Sequence, residues 1–162
     1  MQTHVERAYP NEGCGLMLGH FQAATGEKTL VEVKPLENAW SAETAAELAE
    51  RSQGLTPQPE RTRTSRYWID PQDLLRVQRE ARDRNLAIIG VYHSHPDQAA
   101  VPSECDRALA WSDYAYMIIS VNGGRAADVQ NWQLDAAHQF QPEPMKLVPA
   151  SAATDRMSAA VS

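Results

Sequence analysis

Apolar residues follow two rhythms along this chain, and their alternation predicts a sheet covered by helices. Gln2–Ala8 reads as a short helix that ends before Pro10. Leu16–Phe21 is an apolar run of strand length. After a Thr25–Gly26 turn, Leu30–Lys34 alternates as a strand does, and Pro35 is expected to end it. Tyr67–Ile69 reads as a further short strand. The clearest helix follows, with Asp70 as its N-cap, Pro71 at the first helical position and Asp73 in the first turn. Leu74, Val77 and Ala81 recur at helical spacing, with Leu75 alongside. Glu80 and Arg84 fall one turn apart on the outer side, and Asn85 reads as a left-handed stop.

Leu86–Tyr92 and Tyr114–Val121 are almost continuously apolar and rich in strand formers, as strands buried on both faces are. Ser103–Ser112 reads as a helix between them, and Asn122-Gly123-Gly124 closes the second with a turn. Ala127–Leu134 and Met145–Val148 are weaker strand candidates. The interleaving predicts an α/β fold, a mixed and largely buried β-sheet flanked by helices. One domain is expected over residues 1–149. Within it, about 41–65 reads as a flexible insertion: Ser41–Arg51 suits a short helix, but SQGLTPQPERTRTS has two prolines and few apolar groups. Such a stretch buries too little surface to offset its ordering entropy. Arg61, Arg63 and Arg66 make a small basic cluster there, read as a solvated loop or as a surface that helps hold a substrate protein. The Ala- and Ser-rich segment 150–162 is expected to be a disordered tail.

Composition narrows the partners. The 162 residues suit one domain with a real core. The formal net charge of -6 argues against nucleic acid as the main partner. No apolar run approaches the roughly eighteen residues of a membrane span. The opening MQTHVERAYP is polar and lacks a signal peptide's apolar stretch, so the cytoplasm is the expected location. Cys14 and Cys105 form no CxxC pair and are expected to be reduced, small buried hydrophobes. A place for Cys105 beside the site residues stays open.

The chemistry centres on His93-Ser94-His95-Pro96. Residues two apart on a strand point to the same face, so two imidazoles can meet one ion at the strand's exit. Taken alone, such a pair reads more readily as surface or hydrogen-bonded histidines. Asp106 lies in Pro102-Ser103-Glu104-Cys105-Asp106, which resembles a capping box with Ser103 as cap. A carboxylate in that first turn can also point towards the strand end. It is not expected to serve fully as both cap and ligand. Two nitrogens and one oxygen would leave a fourth tetrahedral position for water, the pattern of a catalytic rather than a structural zinc site. Zinc brings such a water's pKa to roughly 7, and a general base must then carry its proton. Glu12, in Pro10-Asn11-Glu12-Gly13-Cys14-Gly15, is the candidate, although on its own it reads as a surface carboxylate.

His93-Ser94-His95-Pro96, six residues, and Ser103-x-x-Asp106 match the HxHP…SxxD pattern of the JAMM (MPN-plus) zinc metallopeptidases. Pro10-x-Glu12-x-Cys14-Gly15-Leu16 resembles that family's glutamate segment. The resemblance spans about residues 5 to 125. It implies a JAB/MPN-like, cytidine-deaminase-like three-layer fold. It implies Zn2+ on His93, His95 and Asp106, Glu12 as the base that later protonates the leaving amine, and Ser103 as an oxyanion donor. It further implies hydrolysis of the peptide or isopeptide bond after the C-terminal Gly-Gly of a ubiquitin-like or sulfur-carrier protein, as in the bacterial and archaeal single-domain members. An extended glycine tail suits a narrow cleft along a strand edge. Family members often self-associate, so a homodimer is an option. Three rivals stand beside this reading. One is a non-catalytic MPN scaffold. Another is a RadC-like relative linked to DNA repair, which the acidic balance disfavours. The third is a structural metal site with Cys105 as fourth ligand.

Overall fold

A computed structural model describes residues 1–51 and 62–148, and of 47–51 the backbone alone. The elements run α1 (Gln2–Ala8), β1 (Cys14–Gln22), β2 (Glu27–Leu36), α2 (Ala42–Arg51), α3 (Pro71–Arg82), β3 (Ala87–Pro96), α4 (Glu104–Leu109), β4 (Ala115–Asn122), β5 (Arg125–Leu134) and β6 (Phe140–Pro142). The six strands form one sheet in the order β2-β1-β3-β4-β5-β6. Among the described residues only β3 and β4 pair in parallel; every other neighbour is antiparallel. A parallel pair needs a crossover, and the segment carrying α4 is that connection. The expected mixed α/β sheet is therefore present.

Alternation along the strands splits the core in two. Leu16, Leu18 and Val91 pack with Val77 and Ala81 of α3. Met17, Ile89 and Ile119 face the other way and pack with Val5 of α1. The sheet is thus a layer between helices, and its middle strands are buried on both faces. It coils strongly. Lys28, in the edge strand β2, reaches Glu143, the residue just after β6, with Nζ–Oε1 at 3.1 Å.

The helix α3 forms as its caps dictate. Asp70 accepts from the Gln72 N–H at 2.7 Å, Pro71 opens the helix, and Asn85 takes a left-handed φ of 56°. Gly123 and Gly124 supply the positive φ values, 55° and 82°, that the β4–β5 hairpin turn requires.

Several local expectations are corrected. Pro35 does not end β2, which runs on to Leu36. This strand is an edge, where every second N–H faces away from the ladder, so a proline can sit there. Tyr67–Ile69 is not a strand, because the Trp68 N–H goes to the Asn38 side chain instead of a ladder. Glu80 pairs with Arg76 and Lys34 rather than Arg84, which reaches Glu32 of β2. The helix after Ser103 stops at Leu109, since the Trp111 N–H is taken by the Tyr116 hydroxyl at 2.6 Å. Met145–Val148 is not a strand; the last strand among the described residues is Phe140–Pro142, and Leu147 is 99% exposed. Of the 41–65 segment, the backbone of α2 and a turn at 63–65 are described. Arg61 and the 150–162 tail lie outside the described residues.

Candidate metal centre and active site

The end of β3 delivers both histidines. They share the face of Val91, two and four residues earlier, and so point to the α3 side of the sheet. His93 is fully buried and His95 nearly so. Their Nε2 atoms lie 3.1 Å apart. Asp106, in the first turn of α4, brings Oδ1 to 3.5 Å from His93 Nε2 and Oδ2 to 3.7 Å from His95 Nε2. A tetrahedral zinc with bonds of about 2.0–2.1 Å separates its ligand atoms by about 3.3–3.4 Å. The Nε2–Nε2 spacing of 3.1 Å and the Oδ1–Nε2 spacing of 3.5 Å bracket that value, and two nitrogens with one oxygen are a donor set that zinc accepts. Among the described residues this trio could hold a metal ion.

The surroundings set the protonation states this requires. The His95 Nδ1 lies 2.9 Å from the Ala99 carbonyl and donates to it, which leaves the Nε2 lone pair aimed at the shared point. Burial pushes the His93 imidazole down to about 4, against the pull of Asp106, so it is neutral at physiological pH. Burial also works against charge on His95, but the hydrogen bond and charge of Asp106, the Ala99 carbonyl and Glu12 together hold it above the usual histidine value. Burial alone would raise Asp106. His93, His95 and two bonds from Ser103 outweigh it and hold the carboxyl well below the ordinary range. Tyr67 stacks on the His93 ring, centroids 4.4 Å apart and planes 23° from parallel.

The cap and the ligand position turn out to be compatible. Ser103 Oγ accepts from the Asp106 N–H at 3.2 Å, and Asp106 Oδ2 accepts from the Ser103 N–H at 2.6 Å. That full capping box engages one carboxylate oxygen and leaves Oδ1 facing His93.

Glu12 is not a surface carboxylate: it is 6% exposed. Its N–H donates to the Arg63 carbonyl at 2.7 Å, so the turn at 63–65 leans on the loop before β1. The next residue is tied to the metal-side strand. Gly13 N–H donates to Ser94 Oγ, and Ser94 N–H donates to the Gly13 carbonyl, both at 2.9 Å. The site is tight for any side chain, because a Cβ would lie 3.0 Å from Ala8 Cβ and 3.2 Å from Val5 Cα. Glu12, His95, Ser103 and Asp106 line one cleft of about 280 Å³, with Tyr67 and Cys105 on its wall. Cys14 is the inert hydrophobe expected, its thiol pushed up to about 12 mainly by burial. Cys105 is only half-buried and joins the cleft.

All five residues singled out by the motif thus gather in one place. Sequence reasoning missed Ser94, Tyr67 and the Ala99 carbonyl. Ser94 lay in plain view inside the His-Ser-His-Pro run. The other two carry no local signal, since they come from loops whose paths the sheet decides.

Residues 1–135 match the model of a family described as prokaryotic homologs of the JAB domain. The chain is 27% identical to a desampylase of Haloferax volcanii, over 73% of this chain and 68% of that one. It is 28% identical to a probable TtuB-protein conjugate cleaving protease of Thermus thermophilus, over 77% and 66%. It is 26% identical to a CysO-cysteine peptidase of Mycobacterium tuberculosis, over 88% and 82%. A solution structure of a Salinibacter ruber protein superposes with a TM-score of 0.60 at 28% identity, covering 91% of this chain and 84% of that one. Among the described residues no helix is long and apolar enough to cross a membrane.

Proposed function

We propose that this chain, which belongs to the family of prokaryotic homologs of the JAB domain, is a zinc-dependent peptidase that hydrolyses the bond after the C-terminal Gly-Gly of a ubiquitin-like or sulfur-carrier protein. One observation carries the reading. His93, His95 and Asp106 converge on one point, beside a cleft that also holds Glu12 and Ser103. The chain's similarity to a probable TtuB-protein conjugate cleaving protease and to a CysO-cysteine peptidase supports a carrier protein as substrate.

His93, His95 and Asp106 would hold the ion. Zinc, when bound, supplies a Lewis acid that brings a water's pKa down to roughly 7 and polarises a carbonyl. Glu12 accepts the proton of the attacking water and returns it to the leaving nitrogen, so one O–H and the C–N bond break while a C–O and an N–H bond form. The new acid's remaining proton passes to the amine, which leaves a carboxylate and an ammonium. Burial of Glu12 keeps bulk water from competing for that proton. Ser103 Oγ accepts from the Asp106 N–H, and its rotatable O–H donates to the oxyanion. An extended tail without side chains would suit the cleft that Glu12, His95 and Ser103 line.

The test supplies a Gly-Gly-terminated carrier joined to an amine, with and without chelator. Cleavage that stops on chelation and returns with zinc is the expected result. Cleavage indifferent to the chelator removes the proposal.

A further inference from the structure

Asn38 is buried, at 8% exposed, and uses all of its carboxamide. Its Nδ2 donates to the Glu12 carbonyl at 3.0 Å and to the Arg66 carbonyl at 2.9 Å. Its Oδ1 accepts from the Trp40 N–H at 3.0 Å and the Trp68 N–H at 3.2 Å. Two donors and two lone pairs are the whole capacity of an amide side chain. Three chain segments therefore meet on one residue: the loop holding Glu12, the stretch 38–40, and the stretch 66–68. The last carries Tyr67, whose ring stacks on His93. No ladder holds Glu12, because β1 begins only at Cys14.

We infer that Asn38 is a positioning residue for the reaction, setting the Glu12 main chain and the Tyr67 wall in register against the histidine pair. The inference rests on the reading of Glu12 as the base. Asn38 touches neither the ligand atoms nor the cleft. It acts through the carbonyl of Glu12, whose displacement carries the carboxylate with it. Misplacing a reacting group by about 1 Å costs roughly 100-fold in rate. A buried amide that only filled space would instead weaken the whole fold without singling out one step.

The test is a double-mutant cycle on the zinc-loaded chain with the Gly-Gly carrier conjugate. Asn38→Asp keeps the size and the two acceptor bonds but loses both donors. Turnover is expected to fall about 10- to 100-fold with KM within about twofold. The absorption spectrum of the cobalt-substituted protein should not change. In a Glu12→Gln background the same substitution should cost less than about twofold further. Equal losses in both backgrounds overturn the inference. Amide exchange on metal-free protein decides independently of any substrate and covers variants that fold poorly, with Asn38→Ser as the gentler change. Exchange at Glu12 and Gly13 should quicken about tenfold while His93 and His95 amides keep their protection. No change at Glu12, or equal quickening along β3, overturns it. Should wild-type protein cleave no such conjugate, the proposed function fails and the exchange result alone judges Asn38.

Discussion

Asp106 Oδ2 takes the Ser103 N–H at 2.6 Å, while the other oxygen of the same carboxylate stands 3.5 Å from His93. The capping box and the cluster are therefore one construction. The bond that caps the N-terminus of α4 also aims the carboxylate. A cap made by a shorter side chain would end the helix equally well and leave the histidines without an oxygen.

Ser103 should separate two contributions. Ser103→Ala removes the hydroxyl that accepts from the Asp106 N–H, at a cost of about 1 kcal/mol of stability. It also removes the oxyanion donor, so turnover should drop about 10²- to 10³-fold. Metal content should stay at the wild-type level. Thermal melting, metal analysis and kinetics on one preparation check all three.

Glu12→Gln should keep the ion and lose turnover, by about 10²- to 10⁴-fold, because the change removes a proton acceptor and no ligand. Full activity in this variant would give Glu12 another task.

His95→Ala should lose the metal and, with it, the stabilisation that added zinc confers on the wild type. Melting curves with and without zinc should coincide for the variant. A zinc-dependent rise of wild-type size would speak against His95 as a ligand.

The stabilisation by zinc should grow with pH. His95 is held above its unfolded value by Asp106 despite burial. In metal-free protein its proton therefore contributes stability that is fully present below about pH 6.5 and is lost as pH rises through the raised folded value. The ion must displace that proton, so it competes poorly in acid. His93, already neutral above about pH 4, sets no such barrier. The zinc-induced rise in melting temperature should be larger at pH 8 than at pH 5.5, and an equal rise at both would contradict the assignment.

Ser94→Ala should destabilise by about 1–3 kcal/mol, since it leaves the buried Gly13 N–H without its acceptor. Denaturant unfolding of metal-free protein measures this directly. A change within error would mean that the loop re-forms the bond elsewhere.

The chain's own pattern determined the main strands, the capped α3 and the buried character of β3 and β4, because periodicity and caps are local physics. The spacing of His93, His95, Ser103 and Asp106 was equally legible, since two of them share a strand face and two share a helical turn. Tertiary structure alone decided the rest. Pro35 stays in its strand because β2 is an edge. Tyr67–Ile69 is not a strand because Asn38 takes the Trp68 N–H. Glu12 is buried rather than exposed because Asn38, Arg63 and Ser94, distant in sequence, hold its loop against β3. Hydrogen bonds between segments tens of residues apart leave no trace in local pattern, and here they are what place a carboxylate beside the histidines.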